Sequence, residues 1–202
     1  MAWDTQRTRT LLLDAATTLF ARAGLAGTRI DAIAREAGVN KERIYSYFGN
    51  KEGLFEAVLE RELEGLLEGV SAPGTGAEAV GAFAGALWDR FSAAPHLPRL
   101  LAWEGLEWAE ACLGGPERTA SCAGVIGTLE GALPGVGEED AAQLLLSIVT
   151  LASAWWSLPQ MGGFILGHAA SADPAVLAGR TARRREALVA QVTAAARGLA
   201  GR

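Results

Sequence analysis

The sequence is poor in the residues that bind metals or tie a chain covalently. Two cysteines, Cys112 and Cys122, and two histidines, His96 and His168, are all that its 202 residues contain. The cysteines form no C-x-x-C pair, and neither histidine belongs to an H-x-x-x-H or E-x-x-H pattern. The expectation is a chain with no metal site, no cofactor and no disulfide framework, suited to a reducing compartment. Alternations of Val, Ile, Thr and Tyr long enough to make a strand are also missing, which excludes a sheet. No G-x-S-x-G, no P-loop and no useful Cys/His spacing occurs. The run Gly74-Thr75-Gly76-Ala77-Glu78-Ala79 has the look of a dinucleotide loop but follows Ser-Ala-Pro instead of a strand. An enzyme is therefore not expected. The start, Met1-Ala2-Trp3-Asp4, lacks the basic and then apolar regions of a secretory signal, so a cytoplasmic protein is expected. One stretch, 141–170, approaches the length of a membrane span. Gln143, Ser147, Thr150, Ser153 and Ser157 interrupt it, and Pro159-Gln160 with Gly162-Gly163 cuts it, so it reads as a buried helix with no membrane as partner.

What the chain does have is apolar mass and an uneven charge. Half the residues are hydrophobic, 20% are charged and mean hydropathy is +0.19, enough to build a core. The net charge of −5 hides a division. Residues 1–51 carry eight basic and five acidic groups, a net of +3, and the rest carries −8. A basic head on an acidic body suits a DNA-binding module joined to something else.

Between Gly and Pro breaks the sequence is rich in Ala, Leu, Glu and Arg at helical spacing, so the fold class is all-α with about nine helices. They are expected near 5–23, 28–38, 41–47, 51–67, 77–93, 96–113, 117–133, 138–157 and 174–199. Gly24 should terminate the first, Thr28 and Asp31 should form a capping box on the second, and Asn40 should cap the third. Asp173-Pro174 gives the last helix a capping side chain followed by a proline at its first position.

From Ile30 to Tyr47 the chain has the steric pattern of a helix-turn-helix. Ala34 is small where two helices would cross, Gly38 fits a turn needing positive φ, and Ile33, Val39 and Ile44 can lock the crossing angle. This leaves Asn40, Lys41, Glu42, Arg43, Tyr45, Ser46 and Tyr47 at the start or outer side of the second helix, the surface that a recognition helix offers the major groove. An αα-hairpin with a glycine turn also occurs in helical proteins with no DNA role, so a ligand-binding or adaptor protein without DNA binding is the alternative.

The run Thr28-Arg29-Ile30-Asp31-Ala32-Ile33-Ala34-Arg35-Glu36-Ala37-Gly38-Val39, then Ile44-Tyr45-Ser46-Tyr47-Phe48, then Lys51-Glu52-Gly53-Leu54, resembles the N-terminal domain of TetR-type transcriptional regulators over roughly residues 5–60. The resemblance implies a three-helix DNA-binding domain at 1–50 and an effector-binding and dimerisation domain at 51–202. It implies that Tyr45, Tyr47 and Lys51 contact the DNA backbone with Thr28 and Arg29 beside it, and that Lys41, Glu42 and Arg43 face base edges. Arg43 suits a bidentate pair with guanine. Many members carry an arginine where this chain has Asp31, so the sequence departs from the family pattern there. The implied partners are double-stranded operator DNA, a second copy of the chain and a small effector of unknown identity, with the effector releasing a repressor from a palindromic site.

Two further sets of residues follow for the body. Members of the family dimerise through their last two long helices, and here Leu144, Ile148, Leu151 and Trp155 make one stripe and Leu188, Val192, Ala195 and Leu199 another, the expected dimer interface. An effector cavity is implied among the body helices. On the helix near 96–113, Glu104 falls within about 60° of Leu97, Leu100, Leu101 and Trp108, an acid at the centre of an apolar sector. With Glu107 and the rings of Trp88, Trp103 and Trp155 this suits a flat, largely apolar or aromatic ligand, and a cation in particular. A Glu104 paired with Arg90 or Arg99, or simply solvated, is the plainer alternative.

Overall fold

A computed structural model describes residues 2–63, 66–67, 69–108, 116–167 and 173–201. Among them are ten α-helices and no strand: α1 (Ala2–Gly27), α2 (Ile30–Ala37), α3 (Glu42–Phe48), α4 (Lys51–Leu63), α5 (Ala77–Ala93), α6 (His96–Glu107), α7 (Pro116–Ala132), α8 (Glu138–Ser157), α9 (Pro159–Leu166) and α10 (Pro174–Ala200). The helices form two compact units.

The first unit takes in 1–66 and 96–113, so α4 and α6 belong with the head helices α1–α3. Leu12, Phe20, Ile33, Ile44, Leu54 and Phe55 are fully buried in it. The rings of Phe20 and Phe55 meet edge to face at 4.9 Å, and Trp108 packs on Phe55 at the same distance. At roughly 1.5–3 kcal/mol for each large apolar side chain removed from water, these contacts outweigh any single surface pair. α1 bends at Gly24, whose φ of 69° and ψ of −177° lie in a region open almost only to glycine. A Cβ there would also stand 2.6 Å from the ring of Trp103, so the bend and the seat for α6 depend on the same missing atom. α6 lies along α1. Arg99 donates from Nε to the Ala21 carbonyl at 2.7 Å, and Glu107 accepts from the Ala26 amide at 3.1 Å. The first bond takes a carbonyl on one side of the bend at Gly24 and the second an amide on the other, so α6 engages the backbone of α1 across the bend.

The second unit takes in 67–95 and 114–202. α5 and α10 form its most extensive pairing, because Gly81 and Gly85 let the helices approach: a Cβ on Gly81 would lie 2.1 Å from Thr193 Oγ1. Arg185 grips Asp89 with two 2.7 Å bonds, and Arg197 pairs with Glu78. Trp88, fully buried, carries Trp156 at 4.5 Å and Trp155 at 6.0 Å. α10 begins as expected, with the Asp173 carboxylate accepting from Ala175 N at 2.9 Å and Pro174 at the first helical position.

Three expectations need correction here. The apolar stretch 141–170 is not one buried helix: the chain leaves helical geometry at Leu158 (φ −128°, ψ 55°), and Pro159 opens a tenth helix, α9, bent 90° from α8. Proline stops a helix that precedes it and starts one that follows. No residue of α9 is buried, and Phe164 is 82% exposed. Among the described residues no single helix is long and apolar enough to cross a membrane. α4 is described as far as Leu63, and Leu66 and Leu67 form a turn, so the helix does not reach 67. Finally, Leu144, Ile148, Leu188 and Val192 are buried inside the chain itself and offer nothing to a second copy. The apolar side chains that α8 turns outward are Leu146 and Leu151, with Trp155 half-buried. On α10, Ala195 is exposed and Leu199 half-buried. Both helices are apolar on more than one face, and the sequence could not say which face points inward. The tail of the expected helix at 96–113 lies partly outside the described residues.

Candidate nucleic-acid interface

The turn between α2 and α3 is fixed by its backbone. Gly38 sits in the left-handed region (φ 64°, ψ 29°), its amide donates to Arg35 O at 3.2 Å, and the Val39 amide donates to Ala34 O at 3.0 Å. These paired bonds make a Schellman closure, which needs the positive φ that glycine gives without strain. Ile33 and Ala34 are buried on α2 and Ile44 on α3, so the crossing is held by apolar contact. Lys41, not the expected Asn40, holds the N-cap position of α3, but the Asn40 carboxamide one residue earlier accepts from Glu42 N at 3.1 Å. Asn50 does the same for α4, accepting from Gly53 N at 2.7 Å.

With those groups turned inward, Asn40, Lys41, Glu42, Arg43, Tyr45 and Ser46 form one exposed surface around the start of α3. Tyr45 is 52% exposed. Tyr47 is half-buried with its ring edge-on to Phe48 at 6.2 Å, and Arg9 of α1 stands over the opposite Phe48 ring at 5.4 Å. Arg29, just before α2, is exposed. This surface can donate to phosphate oxygens and to purine edges.

Thr28 and Asp31 do not make the expected capping box. Arg29 holds the N-cap position of α2 and no side chain caps it. Thr28 is buried, and its hydroxyl donates to Gly24 O at 2.7 Å, taking up a carbonyl at the bend in α1. Asp31 instead pairs with Lys41 at 3.1 Å, joining α2 to the residue before α3. Its hydrogen bond and charge raise the Lys41 ammonium above the usual lysine range. Lys51 is half-buried, and its Nζ donates to Leu25 O at 2.8 Å and to Thr28 O at 3.3 Å, holding the α1–α2 junction to the start of α4.

A polar cluster that sequence reading missed ties α1, α4 and α6 together. His96 Nε2 lies 2.9 Å from Glu62 Oε2, Arg61 reaches Glu62 Oε1 at 2.6 Å and Asp14 Oδ1 at 2.8 Å, and the Thr17 hydroxyl donates to Glu62 Oε1 at 3.2 Å. The hydrogen bond from His96, followed by Arg61, lowers the Glu62 carboxyl to about 2. Apart from Asp14 with Thr17 on α1 and the adjacent Arg61 and Glu62 on α4, these residues are 34 to 82 positions apart, so spacing gave no signal of their meeting.

The residues expected around an effector are distributed over both units. In the first, Trp103 packs beneath Gly24, Glu107 holds the Ala26 amide, Trp108 lies on Phe55, and Leu101 and Glu104 are half-buried on α6. In the second, Trp88 is core and Trp155 lines an open groove of about 420 Å³ between α8, α9 and α10, with Leu151, Leu158, Met161 and Ile165.

The comparisons with known proteins fall on both parts of the chain. Residues 12–58 match the family described as bacterial regulatory proteins, tetR family, and residues 79–197 match the tetracyclin repressor-like C-terminal domain. The chain is similar to the HTH-type transcriptional repressor SCO4008 of Streptomyces coelicolor, 37% identical over 82% of this chain and 87% of that one. It is also similar to the HTH-type transcriptional repressor NicS of Pseudomonas putida, 35% identical over 52% of this chain and 51% of that one. Among solved structures it is similar to the transcriptional regulator SCO4942 of Streptomyces coelicolor, with a TM-score of 0.69 and 33% identity over 92% of this chain and 96% of that one. A Rhodococcus regulator at 20% identity shares the fold, with a TM-score of 0.67 over 94% of this chain and 96% of that one.

Proposed function

The chain belongs to the TetR family of bacterial regulatory proteins and is a DNA-binding transcriptional regulator, not an enzyme; from that membership we propose that it is a cytoplasmic, homodimeric repressor which leaves a palindromic operator when a small, largely apolar or aromatic effector binds. The observation that carries this reading is the surface at the start of α3, where polar and basic side chains stand outward from a turn locked by Gly38, Ile33 and Ile44. Arg43 reads a guanine, with Lys41 and Glu42 beside it at base edges, and Tyr45, Tyr47, Arg29 and Lys51 hold the backbone. Asn40 and Ser46 border the groove. Thr28 acts through the backbone it fastens.

Two heads are needed to read two half-sites, so a second copy is required. The outward faces of α8 and α10, with Leu151, Trp155, Ala195 and Leu199, supply the interface. Effector contact centres on Leu101 and Glu104 of α6, and release follows only if the effector favours a shape in which the heads no longer match adjacent half-sites. The relatives named as repressors support the direction of regulation. A mobility-shift assay on the DNA upstream of this chain's own gene tests the proposal. A retarded complex that disperses as salt is raised is the expected result, and no complex at low salt would contradict it.

A further inference from the structure

Charge at the reading surface is not simply additive, because one of its cations is already engaged. Lys41 stands at the entrance to α3 with its Nζ 3.1 Å from Asp31 Oδ1, and the two side chains are 57% and 74% exposed. An exposed pair of this kind adds little to stability. It does decide what net charge the surface presents: Lys41 and Asp31 together contribute none. Arg43, Arg29 and Arg35 are exposed nearby in sequence, and Glu42 and Glu36 oppose them.

We propose that Asp31 determines specificity by positioning Lys41, holding its ammonium at the entrance to α3 so that it serves a base edge at the matched site and is withheld from phosphates elsewhere. The inference rests on the reading that α3 enters the major groove. A duplex of arbitrary sequence attracts cations through its phosphates alone. To give Lys41 to such a phosphate the protein must leave the Asp31 carboxylate unpaired against a polyanion, so no net charge is gained. At a matched site a purine edge can accept from Lys41 without a phosphate's demand for a free cation. The carboxylate thus suppresses binding to the wrong DNA while leaving the matched site largely unaffected, a repulsive element of the sort that specificity commonly needs.

The test uses the full chain, a duplex selected by the wild type from a random-sequence pool, and a mixed-sequence duplex of equal length. Asp31→Asn should raise affinity for the mixed duplex about fivefold at 0.15 M salt and steepen its salt slope by about one, the effect of one further phosphate-bound cation. Affinity for the selected duplex should change less, so the ratio between the two narrows. In the Lys41→Gln background the same Asp31→Asn change should lose most of its effect. An equal effect with and without Lys41 would overturn the inference, since the carboxylate would then repel DNA on its own. An unchanged mixed-duplex slope in Asp31→Asn would overturn it too. A Lys41→Gln variant indistinguishable from wild type on both duplexes would instead fail the reading of α3 on which the inference rests. Matched melting temperatures for all four proteins are expected, and a drop shared by Asp31→Asn and Lys41→Gln would make the pair structural and also overturn the inference.

Discussion

Among the described residues, Glu62 is the side chain whose surroundings perturb it most clearly. Hydrogen bonding by His96 and then Arg61 holds its carboxyl at about 2, below the ordinary value of 4.5. A folded-state value below the unfolded one means that the carboxylate stabilises the fold above about pH 4.5 and loses that contribution as pH falls toward 2. Glu62→Gln should therefore lower the melting temperature at pH 7, and the deficit should shrink steadily below pH 4.5. A deficit equal at pH 6 and pH 3 would show that packing, not charge, is what Glu62 provides. Sequence reading placed the exposed side chains at the start of α3 well, because Gly38, Ala34 and Ile44 fix a turn by local sterics. It failed at Thr28 and Asp31, which have the right spacing for a capping box. Thr28 is drawn instead to a carbonyl freed by the bend at Gly24, and Asp31 to the cation at Lys41. Neither competitor is visible in the spacing of Thr28 and Asp31 alone.

α6 best illustrates what the linear order concealed. Its residues follow α5 in the chain, yet they belong to the unit that contains α1–α4. Trp103 and Glu107, chosen for an aromatic and acidic effector site, are engaged with the end of α1. On α6 the effector proposal keeps Leu101 and Glu104, both half-buried. Glu104→Gln should weaken tryptophan quenching by cationic aromatic compounds while leaving that by neutral aromatics, and operator affinity, nearly intact. Equal quenching of both proteins by every cation would leave Glu104 an ordinary structural acid. α9 carries a second lesson at this scale. Pro159 has the same composition signal whether it ends α8 or begins α9, and only the 90° bend at Leu158 decides. The start of α10 was legible because Asp173 and Pro174 act within one turn.

For the whole molecule, charge and exposed apolar surface are distributed unevenly along the chain. The basic excess lies in residues 1–51, and large exposed apolar side chains concentrate between Leu146 and Leu177 in the second unit. The dimer proposal predicts that Leu151→Glu, which places a charge on the outward face of α8, yields a folded monomer that no longer retains the operator. Leu151 is 37% exposed, so the chain itself should tolerate the change. Sedimentation as an unchanged dimer would move the interface elsewhere.

Selection from a random-sequence duplex pool, run in parallel on the wild type and Arg43→Ala, tests the central claim most directly. The account predicts that the wild type recovers an inverted repeat with half-sites on one face of the duplex, about one helical turn or a multiple apart. Arg43→Ala should bind that repeat about 1–3 kcal/mol more weakly and lose its choice at one base in each half. Recovery of no common sequence by the wild type, or of the same sequence at the same stringency by both proteins, would contradict it.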